Sequence, residues 1–172
     1  AKETSDLVLL DNNFNSIVMA IKQGRVIFDN LRKVILYLLS NSLSEVVILV
    51  GGMILHLPLP LLAAQILWVN LISDGFPALA LTMEPEEKAI MERKPKVEKT
   101  LLDTEGRVLM VIISLFTGLA ALWLFHHFYT KTGDVHLART ATFTVLGLYT
   151  LFYVFSVKSL GNTILKINPF KN

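Results

Sequence analysis

Glu45 and Asp74 are acidic residues set inside long apolar runs of this sequence. An ionised carboxylate at mid-bilayer costs at least about 2.5 kcal/mol even on lenient insertion scales, so such a residue marks ion or proton handling by default. Each has polar company. "NSLSE" puts Asn41 and Ser42 at i−4 and i−3 of Glu45, and "NLISD" puts Asn70 and Ser73 at i−4 and i−1 of Asp74. On a helix the i and i−4 residues share a face, while Ser73 lies on an adjoining sector. Gly75 and Pro77 follow at once. Pro77 has no N–H and its ring clashes with the Ser73 carbonyl. An unwound stretch with free backbone oxygens is therefore expected there, which membrane depth tolerates only around a polar cavity. Carboxylates, an amide, a hydroxyl and carbonyls make an all-oxygen set. That suits a hard cation such as Ca²⁺, which takes roughly six to eight oxygens, and is poor for Zn²⁺ or Cu⁺.

These groups need helices to hold them. The 172 residues are 53% hydrophobic and 17% charged, the balance of an integral membrane protein. Four runs are long and apolar enough to span a bilayer, at about 34–55, 59–83, 108–128 and 141–157. "HLPLP" permits only a tight hairpin between the first two, so the Glu45 and Asp74 clusters are expected to face each other at similar depth. Of 16 Lys and Arg, all but Lys131 and Arg139 flank one side, which predicts both termini and the charged loop in the cytosol. The fold class expected is an all-α membrane protein, a four-helix transmembrane bundle with a small cytosolic strand-helix remnant at the N-terminus.

That remnant is read from "SDLVLLD", a short apolar run expected as a strand, followed by an Asp11, Asn12 or Asn13 helix cap. Phe14, Ile17, Val18 and Ile21 keep the spacing of one buried face, and Gly24 is expected to end that helix. A new helical pattern starts at Arg25 and nothing breaks it before Gly51 and Gly52, which predicts one rod from cytosol to membrane core. The expected organisation is 1–24 as the end of a cytosolic domain, 25–33 as a stalk, 34–158 as the membrane region and 159–172 as a cytosolic tail. The chain opens with neither Met nor a signal peptide and reads as a piece of a longer protein.

Other residues have plainer readings. Asn, Ser and the two acids can act as interhelical glue without any ion. Trp68 is expected to pack, His126 and His127 to sit at the outer membrane edge, and His56 and His136 to lie in loops. Glu84, Glu86, Glu87 and Glu92 read as a solvated face. Cysteine is absent, so disulfide, thiolate-metal and cysteine-nucleophile chemistry are excluded.

Several stretches resemble the C-terminal part of a P-type cation-transporting ATPase of the type II, calcium-pump-like branch. "TSDLVLLDNNFNSIV" is similar to the end of that family's phosphorylation domain, and "GRVIFDNLRKVILYLLSNSLSEVV" to its stalk and fifth membrane helix. "QILWVNLISDGFPALAL" resembles the sixth helix and "EPEEKAIMERKPK" the loop after it. The last two spans would be helices seven and eight. The resemblance implies that Asn70, Ser73 and Asp74 bind the ion with Glu45. Two positions depart from the family: its fifth-helix Asn falls at Ser42, with Asn41 one position off, and its eighth-helix acid falls at Thr150. Asn41, Ser42 and Thr150 are thus secondary metal candidates, and the resemblance implies at least one ion per cycle. Glu87 and Glu92 stand where the family's loop touches the phosphorylation domain, a coupling role.

The function implied is the ion-binding membrane part of an ATP-driven pump, with Ca²⁺ as the transported ion and ATP and Mg²⁺ bound by domains not in this sequence. No "DKTGT" or "GDGxND" occurs, so no catalytic or cofactor-binding residue is expected here. Mn²⁺, Na⁺, K⁺ or H⁺ are the alternative ions. Proton carriage by Glu45, half of a secondary transporter and a non-transporting anchor are the alternative roles. The expected partners are the lipid bilayer, the cation and the remaining pump domains, with no nucleic acid. The expected location is a multi-pass position in a bacterial plasma membrane.

Overall fold

The computed structural model describes residues 13–86, 90–92 and 101–158. The expected strand at "SDLVLLD", Glu87 and the 159–172 tail lie outside them. Helix α1 runs Phe14–Ile54, α2 runs Ala63–Trp68, a π-helical turn covers Val69–Ser73, and α3 runs Gly75–Thr82. Helices α4 (Thr104–Thr132) and α5 (Val135–Lys158) complete the bundle. Among the described residues four helical stretches, with Ala63–Thr82 taken as one, are long and apolar enough to cross a membrane. Large apolar side chains such as Phe116 and Phe152 point outward, as a lipid-facing surface requires.

Asn13 caps α1, its side chain accepting from the Asn15 N–H. The helix then continues through Gly24, which corrects the expected break there. A single glycine costs only about 1 kcal/mol relative to Ala, less than is needed to stop a cooperative helix whose next turns are anchored. Phe14, Val18 and Ile21 are exposed in this chain rather than forming a buried face. The 41-residue rod is about 60 Å long at 1.5 Å per residue. It passes Gly51 and Gly52 and ends in a left-handed turn at His56.

The charged connection after α3 is stitched to this rod. Lys22 pairs with Glu86 at 2.7 Å, Arg32 pairs with Asp103, and Arg25 Nη1 donates to the Ile90 carbonyl at 2.8 Å. Asp103 also caps α4 by accepting from the Gly106 N–H. At the other end Gly133 closes α4 in the left-handed region, and only Gly133 and Asp134 separate it from α5. The last two spans are thus longer, and their link shorter, than hydropathy alone suggests. Arg139 Nε, on α5, donates to the Leu59 carbonyl and pins the α1–α2 hairpin.

Two apolar clusters organise the interior. One gathers Tyr37, Ala78, Leu81, Tyr153 and Val157; the other gathers Ile48, Leu61, Ala121 and Leu146. Along α1 the polar residues Asn41, Ser44 and Glu45 fall between Tyr37 and Ile48. These polar residues of α1 therefore lie between two packed apolar clusters, where the low local dielectric strengthens interactions among the buried groups.

Candidate cation site

The backbone break that the proline predicts takes a specific form. The Asp74 N–H reaches back five residues to the Val69 carbonyl at 2.8 Å, and the Ala78 N–H then restarts α-helical bonding to the Asp74 carbonyl at 2.9 Å. Pro77 falls in the first turn of α3, where a missing N–H costs least. The Ser73 carbonyl, which a fourth-following N–H would otherwise take, accepts from the Tyr37 hydroxyl at 3.3 Å instead. A π-turn of this kind is rare, and frequently falls at functional sites.

Around the break, α1 and the π-turn exchange amides and acids. Asn41 Nδ2, on α1, donates to Asp74 Oδ1 at 3.0 Å. Asn70 Nδ2, on the π-turn, donates to Glu45 Oε2 at 3.0 Å and to the Ile66 carbonyl at 3.0 Å. Asp74 is 1% exposed, Asn41 2% and Glu45 7%. Asn41 Oδ1, Glu45 Oε1 and Asp74 Oδ2 are buried without any hydrogen-bond donor. An unsatisfied buried polar oxygen costs about 1–3 kcal/mol, more if charged. Three such oxygens, two of them carboxylate, belong to this one acid–amide layer. Among the described residues no group of three or more His, Cys, Asp or Glu is placed to hold a metal ion, and this layer itself supplies two acids.

The other sequence candidates are placed as follows. Ser42, the position that the resemblance matched to the family's Asn, is exposed on α1, whereas Asn41 is buried. Ser73 is half-buried, with its Oγ facing Gly147 of α5. Thr150 is buried, but its hydroxyl donates to the Gly147 carbonyl of its own helix at 2.9 Å, and its carbonyl accepts from Tyr37 at 3.1 Å. Tyr37, which the sequence reading passed over, is fully buried and links α1 to both the π-turn and α5. Glu92 is exposed beside the turn that Arg25 holds. Glu84 corrects the solvated-face reading: it is 8% exposed and ion-paired with Lys158. Trp68 is exposed on the outer surface and not packed within the bundle. His126 is exposed on α4, and His127 stacks on Trp123.

Comparison with known proteins matches residues 58–172 to the family described as cation transporting ATPase, C-terminus. The chain belongs to this cation-transporting ATPase family. A calcium-transporting ATPase of Bacillus subtilis (strain 168) is 41% identical over 177 residues, covering 100% of this chain and 19% of its own length. Calcium-transporting ATPase 1 of Bacillus cereus is 36% identical, covering 100% of the chain and 21% of itself. A sodium/potassium exporting P-type ATPase of Schizosaccharomyces pombe is 32% identical, covering 98% and 18%. The chain thus spans about a fifth of the length of these cation-transporting ATPases. Its helical bundle is integral to the membrane, and the acid–amide layer lies inside the membrane-spanning part.

Proposed function

We propose that this chain is the ion-binding membrane part of an ATP-driven P-type pump, and that the ion it carries is Ca²⁺. One observation carries the reading: Asn41, Glu45 and Asp74 each keep a buried oxygen without a donor in the acid–amide layer beside a proline-linked π-turn. The ion would be held by Glu45 and Asp74 with oxygens from Asn70 and Ser73. ATP and Mg²⁺ would be bound by domains outside this chain. Calcium is favoured by the all-oxygen donor set and by two acids in one layer, and the Bacillus relatives carry calcium in their names. Asn41, Ser42 and Thr150 contribute differently in this reading: Asn41 orients Asp74 through Nδ2 and offers its Oδ1 to the ion, and neither Ser42 nor Thr150 is a ligand.

The rod α1 would transmit phosphorylation-driven movement to Glu45, with the Ile90–Glu92 turn moving as part of the same body because Arg25 holds it. Glu92, exposed there, and Glu87 would contact the phosphorylation domain. The distribution of basic residues supports cytosolic termini, and the short link between the last two spans fits a bacterial plasma membrane.

The test is phosphoenzyme formation from ATP by the intact protein in membrane vesicles while free Ca²⁺ is titrated, with Mn²⁺, Na⁺ and K⁺ as comparisons. Formation that rises with Ca²⁺ and is lost in Asp74→Asn is the expected result. Dependence on another ion keeps the pump and changes its substrate, an outcome the sodium/potassium-exporting relative makes worth measuring. No phosphoenzyme with any ion, from folded protein, rejects the pump and favours half of a secondary transporter.

A further inference from the structure

Helix α3 is attached in an unusual way. Its N-terminal end is the π-turn, a natural hinge. Its other end is gripped by two partners at one level. Asn30 Nδ2, on α1, donates to the Thr82 carbonyl at 3.2 Å and the Glu84 carbonyl at 2.9 Å. Lys158, the last residue of α5, pairs with Glu84 at 2.8 Å, the side chains being 11% and 8% exposed. Between these ends α3 packs on α1 and α5 through Ala78 and Leu81, in the buried cluster with Tyr37, Tyr153 and Val157. Beside that contact a groove of about 650 Å³ runs along the α3–α5 seam, with Ser73 and Pro77 towards one end and Glu84 and Lys158 towards the other. So α3 is a lever of eight residues, hinged beside Asp74 and fastened about 15 Å away.

A buried ion pair is a poor way to gain stability. Removing two charges from water costs several kcal/mol each, and apolar replacements of similar volume are often equally good or better. What such a pair does supply is a single, directional fastening. We infer that Glu84 and Lys158 are positioning residues: their ion pair latches the cytosolic end of α3 to α5, and thereby sets the geometry of Asp74 and Ser73 at the hinge. When the latch holds, the lever keeps the Asp74 carboxylate against Asn41. When it opens, the cytosolic end of α3 keeps only Asn30 and its apolar packing, and the π-turn beside Asp74 loses the charged constraint from α5. This rests on the cation-site reading above.

The experiment titrates Ca²⁺ activation of phosphoenzyme formation in the intact protein, per molecule of folded pump. Four variants are compared: Glu84→Asp, Lys158→Met, the exchange Glu84→Lys with Lys158→Glu, and Asp74→Asn. Glu84→Asp keeps the charge and shortens the reach, so it tests the latch even where Lys158→Met does not fold. Half-saturating Ca²⁺ is expected to shift about threefold or more in Glu84→Asp, the size of a modest coupling change, and to return toward the wild-type value in the exchanged pair. A plain structural staple would lower the amount of folded protein and leave half-saturation where it was. Unchanged half-saturation in Glu84→Asp overturns the latch, and so does an exchanged pair that folds normally without regaining affinity. Retained Ca²⁺ dependence in Asp74→Asn strikes instead at the cation site itself, so the two failures are distinguishable.

Discussion

Asn41 and Asp74, 33 positions apart, meet in the buried layer between α1 and the π-turn, the amide Nδ2 donating to the carboxylate Oδ1 at 3.0 Å. Asn70 returns the same bond to Glu45 from the opposite element. Each acid is thus aimed by an amide from the facing helix, and each keeps one oxygen without a donor. An acid held in this way by its neighbour is preorganised, because the hydrogen bond fixes its rotamer before any ligand arrives.

This crossing makes adjacent residues of α1 differ sharply. Asn41→Leu removes the bond that aims Asp74 and should weaken Ca²⁺ activation by about 10- to 100-fold, the usual effect of losing an orienting partner. Ser42→Ala changes an exposed side chain and should leave half-saturation within about twofold. Calcium titration of phosphoenzyme formation in both variants decides it. A large effect at Ser42 with none at Asn41 would mean that the register implied by the family resemblance holds instead.

Glu45→Gln tests the other acid. Gln keeps an acceptor for Asn70 and nearly the same volume but removes a charge, and cation affinity depends on ligand charge count. Half-saturating Ca²⁺ should rise about tenfold or more if Glu45 is a ligand. If Glu45 serves only as a proton carrier, affinity should hold and the pH profile of activity should move. Neither change would exclude both roles.

How far this site was legible from sequence depends on the residue. Glu45 and Asp74 stand out because a carboxylate in an apolar run has no cheap explanation. The facing of their helices followed from the short hairpin. Asn41 and Ser42 could not be separated, since adjacent polar residues lie 100° apart on a helix and composition does not fix which turns inward. Tyr37 was hidden because an aromatic residue in an apolar run looks like packing until its hydroxyl is seen bridging two carbonyls. Glu84 and Lys158 were missed for the opposite reason. Charged residues beside a polar loop read as solvated, and only the tertiary fold brings them together under cover. The Gly24 break failed because one local penalty was weighed without the ion pair and hydrogen bonds that hold the helix on either side.

The α1–α4 contact depends on a small residue. A Cβ added at Gly118 would stand 2.6 Å from Val47 Cβ and 2.9 Å from the Ser44 carbonyl oxygen, neither of which can move without shifting α1. Gly118→Ala should lower stability by about 1–3 kcal/mol, the range for overpacking. Gly24→Ala provides the contrast, being a mid-helix glycine with nothing within 4 Å; it should raise stability by about 0.5–1 kcal/mol. Thermal unfolding of the detergent-solubilised intact protein measures both. Equal effects of the same sign would mean that close packing at Gly118 is not limiting.

His56 closes α1 where glycine is the usual choice. Its N–H bonds the Met53 carbonyl at 3.1 Å, the Leu57 N–H bonds the Gly52 carbonyl at 2.9 Å, and its own φ is +52°. That pair of bonds is a complete Schellman ending, with His56 at the left-handed position. A side chain there meets the following carbonyl and costs about 1–2 kcal/mol, part of which returns on replacement by Gly because Gly loses more entropy on folding. His56→Gly should therefore gain up to about 1 kcal/mol. His56→Val should lose more than that, since a β-branched residue at positive φ is a true outlier. Melting temperatures should rank Gly above His above Val. A Val variant as stable as the parent would show that the hairpin relaxes out of the left-handed turn, and the short α1–α2 connection would then not be what holds Glu45 and Asp74 at one depth.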